Sequence, residues 1–143
     1  IGQAYNFIPI KQVIGMSEDI KTFPSRELIE LYKASDYFVL PSYIETYANV
    51  ALEAMAAGIP AIVTDAPGCI DTVTDRHDGI IVPVKSPDKI AENILMLENN
   101  TELRKYVIEN GLIKARRQDW DNIARQYLEV YENVTEKSEL FSS

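Results

Sequence analysis

Short apolar runs, set apart by stretches with helical spacing, give this chain its rhythm. Residues 37–40 (Tyr-Phe-Val-Leu), 61–64 (Ala-Ile-Val-Thr) and 80–82 (Ile-Ile-Val) are almost continuously apolar or β-branched, the pattern of strands buried on both faces. Each is bounded by breakers: Pro41 and Ser42 end the first, Gly58 and Pro60 precede the second, and the polar turn 75–79 precedes the third. A further strand is expected at 20–23, stopped by Pro24, after which Ser25 is placed to cap a helix carrying Leu28, Leu31 and Tyr32 on one face. More helices are expected near 49–57, from a Ser86 cap and first-turn Pro87 to about Glu98, and from a Thr101 cap beyond the Asn99-Asn100 break. Trp120, Ile123, Ala124, Tyr127, Leu128 and Tyr131 fall at amphipathic spacing on a last helix, 119–134. Residues 1–19 show no clear period, and 135–143 read as a frayed tail.

Buried strands alternating with helices define an α/β fold, a parallel sheet with helices on both faces, with residues 20–118 as its core. Sheets of this kind bind ligands beyond the carboxyl ends of their strands. Function is therefore sought at 41–49, at 64–71 and in the loop after Val82. In the doubly wound strand order 3-2-1-4-5-6, strand 20–23 is third and the strands that open such a sheet are missing. Strand 37–40 then presents an apolar edge, to be covered by residues 1–14, a second copy of the chain or a separately supplied first half.

Composition narrows the class further. The 143 residues make one domain at most, and the 46% hydrophobic and 25% charged shares are those of an ordinary globular domain. No apolar stretch approaches the roughly 20 residues of a membrane helix. No secretory pattern opens the chain, so the cytoplasm, or the cytoplasmic face of a membrane, is the expected setting. Cys69, the single cysteine, cannot pair within the chain and reads as a small loop residue. A net charge of −8 without clustered Lys and Arg argues against a nucleic acid partner. It also means that an anionic ligand must be held by helix N-termini or by cations outside the chain. Ile1 in place of an initiating Met suggests a segment of a longer protein.

The informative stretch runs from Pro41 to Pro60, from the end of one strand into a helix. It carries two carboxylates eight positions apart: Glu45 in the loop at the strand's carboxyl end, and Glu53 inside the helix, roughly 6 Å past its start. Between them lies the helix N-terminus, whose free N–H groups and positive dipole end favour an anion. This order suits a sugar nucleotide, with one acid for hexose hydroxyls, the helix start for the diphosphate, and the other acid for the two ribose hydroxyls. The plain reading of a helical glutamate is a solvated surface residue. Glu53, however, precedes Ala54-Met55-Ala56-Ala57, neighbours typical of a buried helix, where an unpaired carboxylate is costly. Something must hydrogen-bond to it.

The stretch resembles the Glu-x7-Glu signature of the family-four retaining glycosyltransferases of GT-B type, roughly Pro-Ser-x-x-Glu-x-Phe-Gly-x-x-x-x-Glu-Ala-Met-Ala-x-Gly-x-Pro. Similarity continues through residues 27–36, Thr64-Asp65-Ala66-Pro67-Gly68, Asp78-Gly79-Ile80-Ile81-Val82 and Trp120-Asp121-Asn122-Ile123-Ala124, and covers roughly 15–133. Thr46 and Ala48 stand where many members have glycine, Tyr47 where many have phenylalanine, and Asp71 where glutamate is common. The resemblance implies a partial Rossmann-like domain, the second half of a C-terminal nucleotide-sugar-binding domain. The enzyme it implies is a hexosyltransferase that uses a nucleoside-diphosphate sugar and no obligatory metal or other cofactor, in cell-envelope or polysaccharide biosynthesis. It implies Glu45 as the catalytic residue and hexose contact and Glu53 as the ribose contact. Backbone N–H groups of Thr46, Tyr47 and Ala48 would lie near the sugar and phosphates, with Asn49 among the donor-binding positions. It also implies that the diphosphate-binding cations and the acceptor-binding domain lie outside this chain, which alone is expected to be inactive. The alternative is a non-catalytic nucleotide- or sugar-binding or scaffolding module. An unrelated flavodoxin-like signalling domain, with its acids at other strand ends, is a third reading.

Other candidates read as structure. Asp119-Trp120-Asp121 imitates the metal-binding Asp-x-Asp of a different glycosyltransferase architecture, but it opens an amphipathic helix, where Asp is the expected cap. His77 lies in a polar turn with Arg76 and Asp78, a surface setting. Arg116 and Arg117 close a helix, where cations complement the dipole. No metal-ligand spacing is visible.

Overall fold

Helix α1 (Arg26–Lys33) leads into β1 (Phe38–Leu40), α2 (Asn49–Ala56), β2 (Ala61–Thr64) and β3 (Ile80–Val82), followed by α3 (Pro87–Asn99), α4 (Thr101–Arg117) and α5 (Trp120–Leu140). The structure, a computed structural model, describes residues 26–140, with side chains described to 134. The expected strand at 20–23, its Ser25 cap and residues 1–14 lie outside the described residues. The strands pair in parallel in the order β1-β2-β3, with Val39 beside Ile62 and Ile62 beside Ile80. This is the order of the last three strands of a doubly wound sheet, with β1 at one end.

Successive strand side chains point to opposite faces, so the continuous apolar runs feed two cores. Ala61 and Val63 of β2 join Ala51 and Met55 of α2, and Phe38, Leu40 and Ile81 pack against the same cluster. Ile62, Ile80 and Val82 turn the other way, toward Leu97 of α3 and Val107 of α4. All four residues of β2 are buried, as a central strand requires, whereas those of β1 are half-buried. Each large aliphatic group among these contributes on the order of 2 kcal/mol by leaving water. On α2 the buried positions Ala51, Ala54 and Met55 keep to one face. The helix stops at Gly58 (φ +78°), whose N–H donates to Met55 O (3.0 Å) while Ile59 N–H donates to Ala54 O (3.2 Å). That pair of bonds is a Schellman ending, and it needs the left-handed residue.

Strand–helix alternation lapses between β2 and β3. Residues 65–79 form successive turns, closed by bonds such as Cys69 N–H to Ala66 O (3.0 Å) and Val73 N–H to Cys69 O (2.9 Å). Cys69 and Val73 are buried against the sheet in place of a helix. The connection is locked to α4 by Asp78, whose side chain is 5% exposed and accepts from Lys114 Nζ (2.9 Å) and Thr74 N–H (2.7 Å). Gly111 allows the same helix to approach α2, since a Cβ there would stand 3.1 Å from Met55 Cγ.

Three helix boundaries differ from expectation. Ser86 precedes α3 but does not cap it, because its hydroxyl donates backward to Val84 O (3.3 Å). Asn100, not Thr101, caps α4: its side chain accepts from Leu103 N–H (3.0 Å), and its extended backbone (φ −125°, ψ 81°) both ends α3 and starts α4. Helix α5 continues past Thr135 to Leu140, since no Gly or Pro interrupts it. Asp119 does cap this helix, its Oδ1 accepting from Asp121 N–H (2.8 Å). His77 is exposed, its Nδ1 2.9 Å from the Tyr106 hydroxyl.

Candidate functional site

Three loops converge beyond the carboxyl ends of the strands: 41–48, 65–71 and 83–86. Asp65 Oδ1 accepts from Val84 N–H (2.8 Å), the Thr64 hydroxyl donates to Ser42 O, and Lys85 Nζ stands 5.8 Å from the centre of the Tyr43 ring. Glu45 sits where the first two loops touch, its N–H donating to Pro67 O (2.9 Å). Gly68 makes that contact possible. Its φ is +80°, and a Cβ on it would lie 2.3 Å from the Glu45 carbonyl oxygen. No side chain fits there.

The Glu45 carboxylate is half-buried, and Ser42 Oγ donates to its Oε1 (2.6 Å). Oε2 has no partner among the described residues. Cys69 is buried nearby; burial pushes its thiol up, a Thr64 hydrogen bond opposes this, and the Glu45 charge adds to it. The thiol is held in its neutral, unreactive form, in keeping with a structural role.

The start of α2 lies directly after this loop, with no side-chain cap. Ala48 N–H is already bonded to Thr72 Oγ1 (3.1 Å) and Gly68 O (3.3 Å), and the Thr72 hydroxyl donates to Gly68 O (2.8 Å). The N–H expected to face a ligand at Ala48 therefore ties the helix to the second loop instead. Its methyl, 1% exposed, belongs to the core, so its replacement of glycine does not crowd the surface. Asn49 N–H is also bonded, to Tyr47 O (2.8 Å). The backbone N–H groups of Thr46 and Tyr47 have no partner among the described residues. Asp71 shapes the second loop through its Oδ2, which accepts from Gly68 N–H (3.2 Å).

Glu53 lies one turn into α2 and is half-buried. Its partner is Tyr32 of α1, whose hydroxyl donates to Oε2 at 3.0 Å and approaches Val50 O at 3.4 Å. Sequence reasoning placed Tyr32 only on an apolar helix face. The available signal was the need of Glu53 for a donor, but nothing in the spacing says which of the chain's eight tyrosines supplies it. Burial, and then the neighbouring carboxylate, push the Tyr32 hydroxyl well above the usual range, so it stays a neutral donor at physiological pH. Glu53 borders two cavities. One of about 610 Å³ also touches Tyr47 and Asn49 at the helix start and Trp120 and Tyr127 of α5; the other, about 210 Å³, lies toward Ile29, Tyr32 and Lys33 of α1.

The fold thus brings Tyr47, Asn49 and Glu53 to one cavity; Glu45, held by Ser42 and the 65–71 loop, and the exposed Thr46 precede the helix start in the chain. Among the described residues there is no group of three His, Cys, Asp or Glu that could hold a metal ion, and no helix long and apolar enough to cross a membrane.

A parallel sheet with a helix entrance at its carboxyl edge is the build of an open α/β domain, the kind that binds ligands beyond the carboxyl ends of its strands. Residues 14–114 match the family model of the glycosyl transferases group 1, and the chain belongs to that family. It is 36% identical over 110 residues to an uncharacterised glycosyltransferase of Methanocaldococcus jannaschii, across 76% of this chain and 28% of that protein. It is 33% identical over 108 residues to the N,N'-diacetylbacillosaminyl-diphospho-undecaprenol alpha-1,3-N-acetylgalactosaminyltransferase of Campylobacter jejuni, across 76% and 29%. The solved structure of Anabaena HepE in complex with UDP-glucose superimposes with a TM-score of 0.69 at 22% identity, covering 76% of this chain and 30% of that one. That likeness shows the fold, a partial Rossmann-like α/β domain of GT-B type. The chain spans less than a third of the length of these proteins.

Proposed function

We propose that this chain is the donor-binding part of a retaining glycosyltransferase that moves a hexose from a nucleoside-diphosphate sugar to a hydroxyl of a saccharide, lipid or other acceptor. The observation that carries the reading is the bracketed helix entrance. Glu45, just before the helix start, is braced by Ser42 and the Gly68 loop, and Glu53, one turn into the helix, lines a cavity with Tyr47 and Asn49. Glu45 takes the hexose hydroxyls, the N–H groups of Thr46 and Tyr47 and the dipole of α2 face the diphosphate, and Glu53 takes the ribose. HepE, similar in fold, is seen with UDP-glucose, a donor of this class.

Retention proceeds by front-face attack, in which the leaving phosphate accepts the proton of the acceptor hydroxyl. Cations and the helix dipole stabilise the charge that develops. Those cations and the acceptor site belong to a first half outside this chain, so the segment alone binds part of a donor without turning it over. No metal is required. The setting is the cytoplasm or the cytoplasmic face of a membrane, in cell-envelope or polysaccharide synthesis.

The test is Glu45→Ala in the intact protein, with release or transfer of sugar followed by chromatography across a panel of nucleotide sugars. Turnover is abolished while the far-ultraviolet spectrum and urea midpoint stay at wild-type values. A variant that keeps more than a tenth of wild-type turnover overturns the assignment. A wild-type protein that binds these donors and never turns one over makes the chain a binding module instead.

A further inference from the structure

A carboxylate recognises a vicinal diol well only when its plane is fixed, because both hydroxyls must meet lone pairs in that plane. A glutamate side chain on a helix turns about three bonds and has no such plane of its own. We propose that Tyr32 is a positioning residue that sets the plane of the Glu53 carboxylate and thereby the preference of the site for ribose over deoxyribose. This rests on the assignment of Glu53 to the ribose.

Tyr32 reaches Glu53 from another helix, 21 residues away in sequence, with its hydroxyl 3.0 Å from Oε2. Its ring is half-buried and lies 5.9 Å from that of Phe38, so the donor is anchored through packing on β1 rather than through α2 itself. The same hydroxyl lies 3.4 Å from Val50 O, one turn before Glu53 on α2. The hydroxyl is neutral throughout the working pH range and donates one bond, while an ionised carboxylate accepts about four. Tyr32 therefore occupies one site on Oε2 and leaves Oε1, which has no partner among the described residues, to face a diol. A purely structural tyrosine would tie α1 to α2 equally well but would have no effect on which sugar the nucleotide carries.

Binding of UDP, GDP and ADP and of their 2′-deoxy counterparts to the intact protein, by calorimetry, separates the two roles. Wild type prefers the ribonucleotide of its own base by about tenfold or more, the usual scale for a hydrogen bond to a charged group. Glu53→Ala removes that preference. Tyr32→Phe keeps the ring and its packing, weakens ribonucleotide binding about fivefold or more, leaves deoxynucleotide binding within twofold, and raises KM for the donor more than it lowers kcat. If Tyr32→Phe keeps the wild-type ribose preference, or weakens both nucleotides equally, the positioning role is overturned while Glu53 stands. If Glu53→Ala keeps the preference, the ribose assignment falls, and Tyr32 with it.

Discussion

Gly68→Ala probes how tightly the 65–71 loop holds Glu45. A side chain at φ +80° costs about 1–2 kcal/mol for an L residue. Beyond that, the new Cβ would stand 2.3 Å from the Glu45 carbonyl oxygen and 2.6 Å from its carbon, both backbone atoms. The oxygen has to retreat by about 0.7 Å before the pair reaches 3.0 Å, and that retreat pulls Glu45 N–H away from Pro67 O. A displacement approaching 1 Å of a group that positions substrate costs on the order of 10²-fold in rate. Gly58→Ala is the matched control: its φ is +78°, yet nothing lies within 4 Å of the added Cβ. It carries the same backbone penalty without the push on Glu45. Steady-state sugar transfer by the intact protein, with urea unfolding to set conditions where each variant is fully folded, gives the comparison. Gly58→Ala loses about 1–2 kcal/mol of stability and stays within twofold in kcat. Gly68→Ala falls about 10²-fold in kcat. Wild-type turnover in folded Gly68→Ala, or an equal loss in Gly58→Ala, refutes the reasoning.

Two further outcomes concern stability. Asp78→Ala strips the partner from Lys114, whose side chain is 22% exposed, and from Thr74 N–H, and costs about 3 kcal/mol by urea denaturation. Asp78→Asn costs less, because its amide oxygen still accepts from Thr74. Burial, and then the hydrogen bond to Glu98, push the Tyr37 hydroxyl up to about 12 from 10.0, against the pull of Arg104. A raised folded pKa means that the contribution is complete below pH 10 and is lost as pH rises toward 12. Tyr37→Phe therefore flattens the decline of the urea midpoint over that interval, and an unchanged slope contradicts the assignment.

The three strands were legible because a strand buried on both faces has to be apolar throughout, and that constraint is written residue by residue in 38–40, 61–64 and 80–82. The entrance to α2 between Glu45 and Glu53 was legible for a similar reason, since the step from strand to helix is local. Boundaries were read less well. Asn100 and Thr101 are both good caps, and only the backbone turn between α3 and α4 decides that Asn100 reaches Leu103 N–H. The connection between β2 and β3 offered turn residues without showing that Cys69 and Val73 would cover the sheet in place of a helix.

By itself the sequence determined the strands, the helix entrance and the two acids on either side of it, because each depends on residues close together in the chain. Tertiary structure alone decided what surrounds those acids. Gly68 presses on Glu45 from 23 residues away, Thr72 takes the N–H of Ala48 from 24, and Tyr32 meets Glu53 from 21. Periodicity records which face of an element is buried, whereas hydrogen bonds of about 3 Å depend on how the elements stack, and no local pattern carries that information.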